Sequence, residues 1–280
     1  GIPTVATVHG YMTFESISKG SLLENSAEEE YMKDIEVQAY RGARKVITVD
    51  QRLKEYVKEV SGIDATAVRN FIDIHQFKPN KEKKQEYRKK YGLSADDRVL
   101  FVPRRLTRKN GVVYPALALP EVLKEFPQTK LIYAGSGEAL DELKEIVEEN
   151  RLNDHVVFLG AIPHDQIKEF YALSDVVLVP SVHSAGVEEA TSISALEAMG
   201  SGSPLIASAV GGLKEIVNHQ EDGLLVEEKN IKELVESIVY LFQHPEKGEE
   251  FAAKARQKIE SEYSHISAAK KYESVYLKAL

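Results

Sequence analysis

The sequence of 280 residues contains no cysteine and no tryptophan. The absence of cysteine excludes disulfides, thiolate zinc sites and cysteine nucleophiles, and it is typical of proteins in a reducing cytoplasm. No run of eighteen apolar residues is present, and the first residues lack the basic and apolar regions of a signal peptide. We therefore expect a cytoplasmic protein without a transmembrane segment.

Positive charge is also scarce, with 36 Lys and Arg against 44 Asp and Glu and a net charge of -8. This balance argues against a protein that coats nucleic acid or anionic lipid. Hydrophobic residues make up 43% of the chain, which is enough for a sizeable core in one large or two modest domains. The charged fraction of 29%, with neither Cys nor Trp, is typical of a heat-stable protein.

Short β-branched runs alternate with segments of helical periodicity, which predicts an α/β fold with parallel sheets and crossover helices. A highly charged segment begins at Asn80 and separates three predicted strands from six. Residues 1–79 are thus expected to form a partial Rossmann-like lobe and residues 80–262 a complete one. The predicted strands are 4–8, 45–49, 66–69, 99–102, 130–134, 155–159, 175–179, 204–207 and 223–226, and the main predicted helices are 26–40, 51–60, 231–242, 247–261 and 265–280.

Open parallel sheets bind ligands at the carboxyl ends of their strands, beside helix N-termini. The strand that ends at Val102 is followed by four cations within six residues, Arg104, Arg105, Arg108 and Lys109. Arg offers a planar fork for two phosphate oxygens and Lys a mobile point charge, so the cluster suits a diphosphate that leaves during a reaction. A solvated basic turn is the alternative interpretation.

Three other loops carry candidate ligand contacts. Gly135 and Gly137 form a strand-to-helix turn, but the third glycine and the downstream acid of a dinucleotide fingerprint are missing, which disfavours NAD. Gly211 and Gly212 permit close backbone approach. His9 follows the first strand directly, so it is expected at a cleft, and the remaining histidines show no metal-ligand spacing.

Glu189 and Glu197 lie eight residues apart after the strand 175–179. On a helix this spacing is a rise of about 12 Å, comparable to the span from a ribose across a diphosphate to an attached sugar. Thr191 or Ser192 is expected to cap the helix, whose amides and dipole would then face the diphosphate. Apolar neighbours surround Glu197, so its carboxylate needs a partner. A solvated or paired structural carboxylate is the alternative.

Taken together, these motifs resemble the retaining glycosyltransferases of family 4, which have the GT-B fold of two Rossmann-like lobes. The resemblance covers most of the chain. It rests on His9-Gly10, residues 69–73 with Phe77 and Pro79, Arg105, Lys109-Asn110-Gly111, Gly135-Ser136-Gly137, Phe158-Leu159-Gly160, residues 171–181, the Glu189/Glu197 pair, Glu197-Ala198-Met199, and Gly211-Gly212 with Glu215.

The resemblance implies a nucleotide-diphosphate sugar as donor and no cofactor or divalent metal. In such enzymes the positions of Arg105 and Lys109 bind the diphosphate, that of Glu189 contacts the sugar, and that of Glu197 holds the ribose hydroxyls. His9 would reach toward the sugar, and the last helix, within 263–280, would cross back onto the first lobe. The other residues expected to contact the donor are Gly135, Gly137, Gly160, Ala161, Thr191, Ser192, Ile193, Gly211 and Gly212.

Two departures from the family pattern qualify this prediction. Thr191-Ser192 replaces the usual Phe-Gly after the first glutamate, and the strand-helix units and Gly-rich loop that precede the position of Gly1 in the family are absent. We expect a hexosyltransferase that acts on an unidentified acceptor hydroxyl, with a second copy or a missing N-terminal segment as partner. A nucleotide-sugar-binding module without transfer activity and a nucleotide-sugar epimerase on the same fold are the alternatives.

Overall fold

The computed structural model describes residues 2–18, 20–183 and 191–280. Within them, a first parallel sheet has the strand order β1-β2-β3. Its strands match the predicted ones, although the third is shorter, and the first helix was not predicted. The strands are β1 (Val5–Val8), β2 (Lys45–Thr48) and β3 (Thr66–Ala67), and the helices around them are α1 (Met12–Ser18), α2 (Ala27–Gly42) and α3 (Gln51–Ser61).

A second parallel sheet has the strand order β6-β5-β4-β7-β8-β9. Its strands are β4 (Arg98–Val102), β5 (Thr129–Tyr133), β6 (Val156–Phe158), β7 (Val176–Val179), β8 (Leu205–Ser208) and β9 (Leu224–Val226). The helices are α4 (Lys84–Lys90), α5 (Val113–Glu125), α6 (Leu140–Glu149), α7 (His164–Leu173), α8 (Ile193–Gly200), α9 (Leu213–Ile216), α10 (Ile231–Gln243), α11 (Pro245–Glu262) and α12 (His265–Ala279). The order reverses between β4 and β7, so the loops after these two strands meet at the switch point where such sheets bind ligands.

Both faces of the second sheet are covered, as its continuous apolar strands predict. Alternate residues of β4 show this division. Leu100 and Val102 belong to the core beneath α5 and α10, whereas Val99 and Phe101 pack on the opposite side with Tyr171. The α/β prediction from the strand pattern is confirmed.

Local signals fix the helix ends. Asp50 caps α3 by accepting a hydrogen bond from the Leu53 amide at 2.7 Å, and Gly62 ends the helix in a left-handed conformation with φ of 75°. Asn230 caps α10 in the same way, through the Glu233 amide at 3.1 Å. The apolar stripe of each helix then faces its sheet.

The segment that joins the two sheets is bonded to the C-terminal helices. The Ile72 amide donates to the Tyr263 carbonyl at 3.0 Å, and the His265 amide donates to the Ile72 carbonyl at 2.9 Å. Arg69 pairs with Glu262 at 3.0 Å. The chain therefore crosses between the sheets twice, side by side.

The second crossing delivers α12 to the first sheet. Ala268 and Val275 of this helix are buried together with Ile47 and Val68. The domain limits 1–79, 80–262 and 263–280 stay a prediction, as does self-association through an exposed edge of the short first lobe. Among the described residues, no helix is long and apolar enough to cross a membrane.

The contact of α12 with the first sheet leads to a stability prediction. Val275→Ala removes buried methyl groups and leaves a cavity beside Ile47, so we expect the free energy of unfolding to fall by about 2 kcal/mol. Leu277→Ala on the same helix, where the side chain is 65% exposed, is the control and should change little. Urea unfolding of both variants measures the difference, and equal stabilities would contradict the packing of α12 described here.

Candidate functional site

The loops after β4, β5 and β6 pack directly on one another at the carboxyl edge of the second sheet. The Leu106 amide donates to the Ser136 carbonyl at 3.0 Å, and the Gly135 amide donates to the Gly160 carbonyl at 2.8 Å. A Cβ atom at Gly135 would lie 2.0 Å from the Arg104 carbonyl oxygen, so only glycine fits. Because the Gly135 amide is used between loops, this glycine serves the packing of the loops, and its amide is not a free donor for a ligand.

Arg104 connects the loop after β4 to both ends of the loop that runs from β7 to α8. Its guanidinium, on a residue only 7% exposed, donates to Ser192 Oγ at 2.6 Å, to Asn110 Oδ1 at 2.6 Å and to Ser181 Oγ at 3.0 Å. The loops after β4 and β7 and the start of α8 are thereby fixed to one another. Sequence reasoning counted Arg104 in the basic cluster but gave it no role, because its partners lie as far as 88 positions away in the chain.

Arg105 and Lys109 differ from Arg104 in that their side chains are exposed while their backbones are held. The Arg105 carbonyl accepts hydrogen bonds from the Thr107 amide and from Asn110 Nδ2, both at 2.8 Å. The Lys109 carbonyl accepts from the Val182 amide at 3.0 Å. Two exposed cations therefore extend from a rigid backbone at the switch point.

The start of α8 departs from the prediction. Ser192 occupies the cap position, but in the described part of the chain its hydroxyl makes no cap hydrogen bond. The hydroxyl instead accepts the charge-assisted bond from Arg104, which is stronger than a bond from an amide. Thr191 Oγ1 lies 3.4 Å from the Val49 carbonyl of the first sheet. Ser192 is thus the N-cap residue, as predicted, but within the described residues it lacks the expected side-chain hydrogen bond, and Ile193 in the first turn is 42% exposed.

Glu197 lies in the middle of α8 and is 5% exposed. Its Oε2 accepts a hydrogen bond from the Tyr171 hydroxyl at 2.8 Å, which supplies the partner that its apolar neighbours require. Burial raises the pKa of Glu197 to about 7, and the bond from Tyr171 acts in the opposite direction. The pKa of this carboxyl group therefore lies near neutral pH.

The remaining predicted site residues fall in four places. His9 is exposed directly after β1, and Ala161 is exposed beside Gly160, whose φ is 67°. Gly211 and Gly212 are buried at the start of α9, and Gly137 packs against the Leu106 backbone. Glu189 lies outside the described residues. Within the described residues no group of His, Asp and Glu is arranged to hold a metal ion.

The first sheet approaches this edge through two contacts. Besides the contact between Thr191 and Val49, Arg52 at the start of α3 lies 3.6 Å from Glu215 of α9. The first contact joins the carboxyl end of β2 to the start of α8, and the second joins the first turn of α3 to α9. The edges of the two sheets therefore face each other across the candidate site.

The chain is similar to several curated proteins. It is 33% identical over 236 residues to an uncharacterized glycosyltransferase of Methanocaldococcus jannaschii, covering 82% of this chain and 59% of that protein. It is 28% identical over 202 residues to a GDP-mannose-dependent α-(1-6)-phosphatidylinositol monomannoside mannosyltransferase of Mycobacterium tuberculosis, covering 71% and 52% respectively. The chain thus spans little more than half the length of these relatives.

Solved structures show the same fold over nearly the whole chain. Sucrose-phosphate synthase from Thermosynechococcus elongatus superposes with a TM-score of 0.79 at 24% identity, covering 98% of this chain and 67% of that one. The Anabaena protein HepE, solved in complex with UDP, superposes with a TM-score of 0.81 at 22% identity, covering 99% and 72%. These neighbours have the GT-B fold, which confirms the predicted fold class.

The family model for glycosyl transferases group 1 matches residues 83–258, which contain the whole second sheet and the loops at its carboxyl edge. The chain therefore belongs to the glycosyl transferases group 1 family.

Proposed function

We propose that this chain is the donor-binding part of a retaining glycosyltransferase of family 4, which moves a hexose from a nucleotide-diphosphate sugar to an acceptor hydroxyl. The observation that carries the proposal is the arrangement at the switch point, where exposed Arg105 and Lys109 lie on a backbone fixed to the loop after β7. Relatives support the choice of hexose, because one is named as a GDP-mannose-dependent α-mannosyltransferase.

Each end of the donor has a matching group. Arg105 and Lys109 neutralise the diphosphate, and Glu197, eight residues beyond Glu189 and buried in α8, accepts hydrogen bonds from the ribose hydroxyls. Glu189 contacts the hexose, and His9 approaches it from the first sheet. Gly160 and Ala161 lie beside the base. The diphosphate is surrounded by the start of α8, with Thr191, Ser192 and Ile193, and by Gly211 and Gly212.

The proposed reaction needs no protein nucleophile, divalent metal or further cofactor. The bond between the anomeric carbon and the diphosphate oxygen breaks, and the acceptor oxygen bonds to the same face of that carbon. The acceptor proton passes to the leaving diphosphate, whose developing charge Arg105 and Lys109 stabilise. Configuration at the anomeric carbon is therefore retained.

A second candidate function has an observation in its favour. The first sheet has three strands, which is small for a parallel sheet that must build an acceptor site. A nucleotide-sugar-binding module without transfer activity would need no more. We propose that a further N-terminal segment or a second copy of the chain completes this sheet, so that transfer can occur. We also propose that the protein acts in the cytoplasm.

Binding and product analysis test these proposals. Calorimetric titration with UDP-, GDP- and ADP-linked glucose and mannose identifies the donor base. Incubation of the same chain with the bound donor and simple sugar acceptors, with and without EDTA, then tests transfer. Once the first sheet is completed, by the N-terminal segment supplied as a separate chain or by a second copy, an α-linked product from an α-linked donor, formed equally in EDTA, is expected. A β-linked product or loss of activity in EDTA would contradict retention or metal independence, and binding without transfer would favour the module.

The basic cluster offers a matched pair of variants. We expect Arg105→Ala to weaken nucleotide-sugar binding about ten- to a hundredfold, because a charge-assisted bond to the diphosphate is lost. Arg108→Ala is the control, since that side chain is 84% exposed and lies 3.5 Å from Glu142. Calorimetry measures both affinities. If both variants lost the same affinity, the cluster would attract the donor only through its overall positive charge, and Arg105 would have no specific contact with the diphosphate.

The pKa of Glu197 predicts a pH dependence of donor binding. The ionised carboxylate is the acceptor for the ribose hydroxyls, so affinity should fall as the pH drops through about 7 and the group takes up its proton. A nucleotide sugar is the right probe, since its diphosphate diester carries no proton that titrates near neutrality. Glu197→Gln should bind more weakly and with a flat profile, whereas a wild-type profile that is already flat would exclude this role.

A further inference from the structure

Tyr171 is buried to 1% exposure, and its hydroxyl reaches the middle of α8. The hydroxyl donates to Glu197 Oε2 at 2.8 Å and lies 3.4 Å from the Ser194 carbonyl. The shorter distance identifies the carboxylate as its main acceptor. One of the two carboxylate oxygens of Glu197 is thereby hydrogen-bonded to the protein core.

The position of this hydroxyl is fixed by the surroundings of the ring and the backbone. The ring of Tyr171 makes edge contacts with Phe101 of β4 at 5.3 Å and with Phe77 at 6.0 Å between centroids. At the backbone, the Tyr171 carbonyl accepts hydrogen bonds from the Ser174 and Ser203 hydroxyls, both at 3.0 Å. The ring therefore stays in place when the hydroxyl alone is removed.

We propose that Tyr171 is a positioning residue for the nucleotide-sugar donor, because its hydroxyl fixes one oxygen of Glu197 and leaves the other to accept the ribose hydroxyls. This inference rests on the proposed function of Glu197. Tyr171 does not itself touch the donor. Its role differs from that of an ordinary core tyrosine in that the hydroxyl, and not the ring, controls the ligand contact.

The same hydroxyl favours the ionised carboxylate. Burial raises the pKa of Glu197, and the bond from Tyr171 lowers it. Loss of the hydroxyl should therefore raise the pKa further, so that the carboxylate takes up its proton at a higher pH. As the pH is lowered, donor affinity should then begin to fall at a higher pH than in the wild-type protein.

Other charged groups lie on the segments that surround this pair. Arg104, on the loop after β4, lowers the otherwise raised pKa of the Tyr171 hydroxyl. Arg256 of α11 donates to the Gly200 carbonyl at the end of α8, and His164 at the start of α7 contacts the Phe77 ring. Glu188 and Glu189 precede α8, outside the described residues. None of these groups is changed by a substitution at Tyr171.

Tyr171→Phe tests the inference with two independent readouts. The first is the titration of the Glu197 carboxyl carbon, followed by NMR on ¹³C-labelled protein without ligand and assigned with Glu197→Gln. The second is the pH profile of affinity for the nucleotide sugar that binds wild-type protein. We expect both midpoints to move to higher pH together, with affinity about tenfold weaker at neutral pH and a smaller loss persisting in alkaline solution, where the carboxylate is ionised but no longer held in position.

Tyr133→Phe is the matched control. Tyr133 is equally buried, and its hydroxyl donates to the Val112 carbonyl at 2.8 Å, so this variant also loses one buried hydrogen bond. It should lose stability without moving either midpoint. If Tyr133→Phe shifts the midpoints as Tyr171→Phe does, the effect is general loosening and the inference is wrong.

The two readouts separate failure of the inference from failure of the proposed function. An unchanged carboxyl titration in Tyr171→Phe, with binding still weakened by Glu197→Gln, would overturn only the role of Tyr171. A shifted titration with donor affinity indifferent to both residues would overturn the positioning role together with the assignment of Glu197 to the ribose.

Discussion

A buried guanidinium at the switch point of the second sheet holds the candidate site together. Burying the charge of Arg104 carries a large desolvation cost, which hydrogen bonds to the Ser192, Asn110 and Ser181 side chains help to offset. The three acceptors belong to different segments, so the bonds form only when the loops after β4 and β7 and the start of α8 take their native positions. Because these bonds fix the loop after β4, they also fix the backbone that carries Arg105 and Lys109.

Helix α8 extends this fixed arrangement from the loops to Glu197. Ser192 fixes its first turn to Arg104, and Ser194 Oγ donates to the Pro103 carbonyl at 2.7 Å. Glu197, one turn further, is bonded to Tyr171. The helix therefore has little freedom to rotate or slide. Preorganised groups of this kind bind a ligand without ordering themselves first, which makes each contact more effective.

The sequence predicted the sheets well because strands buried on both faces must be apolar throughout, as in Val176–Val179. It also predicted which loops would converge, since parallel strands end at one edge. Side-chain partners were beyond its reach. Tyr171 and Glu197 are 26 positions apart on different helices, and no periodicity relates them. Ser192 had the residue type and position of a cap, but a distant guanidinium competed successfully for its oxygen.

The later part of the segment that joins the two sheets is bonded to helices of the second sheet. Arg256 of α11 donates to the carbonyls of Ile74 at 3.0 Å and Gly200 at 2.6 Å, and also to that of Phe77. A Cβ atom at Gly200 would lie 2.3 Å from Ile72 Cδ1, so the segment rests directly on the end of α8.

Residues 74–77 are therefore tied to the second sheet, and a rotation between the sheets has to bend the chain elsewhere. The two adjacent crossings, at Ile72 and at Tyr263 to His265, are joined to each other by two backbone hydrogen bonds. Phe77, in contact with the Tyr171 ring, therefore belongs with the second sheet and with the bond between Tyr171 and Glu197.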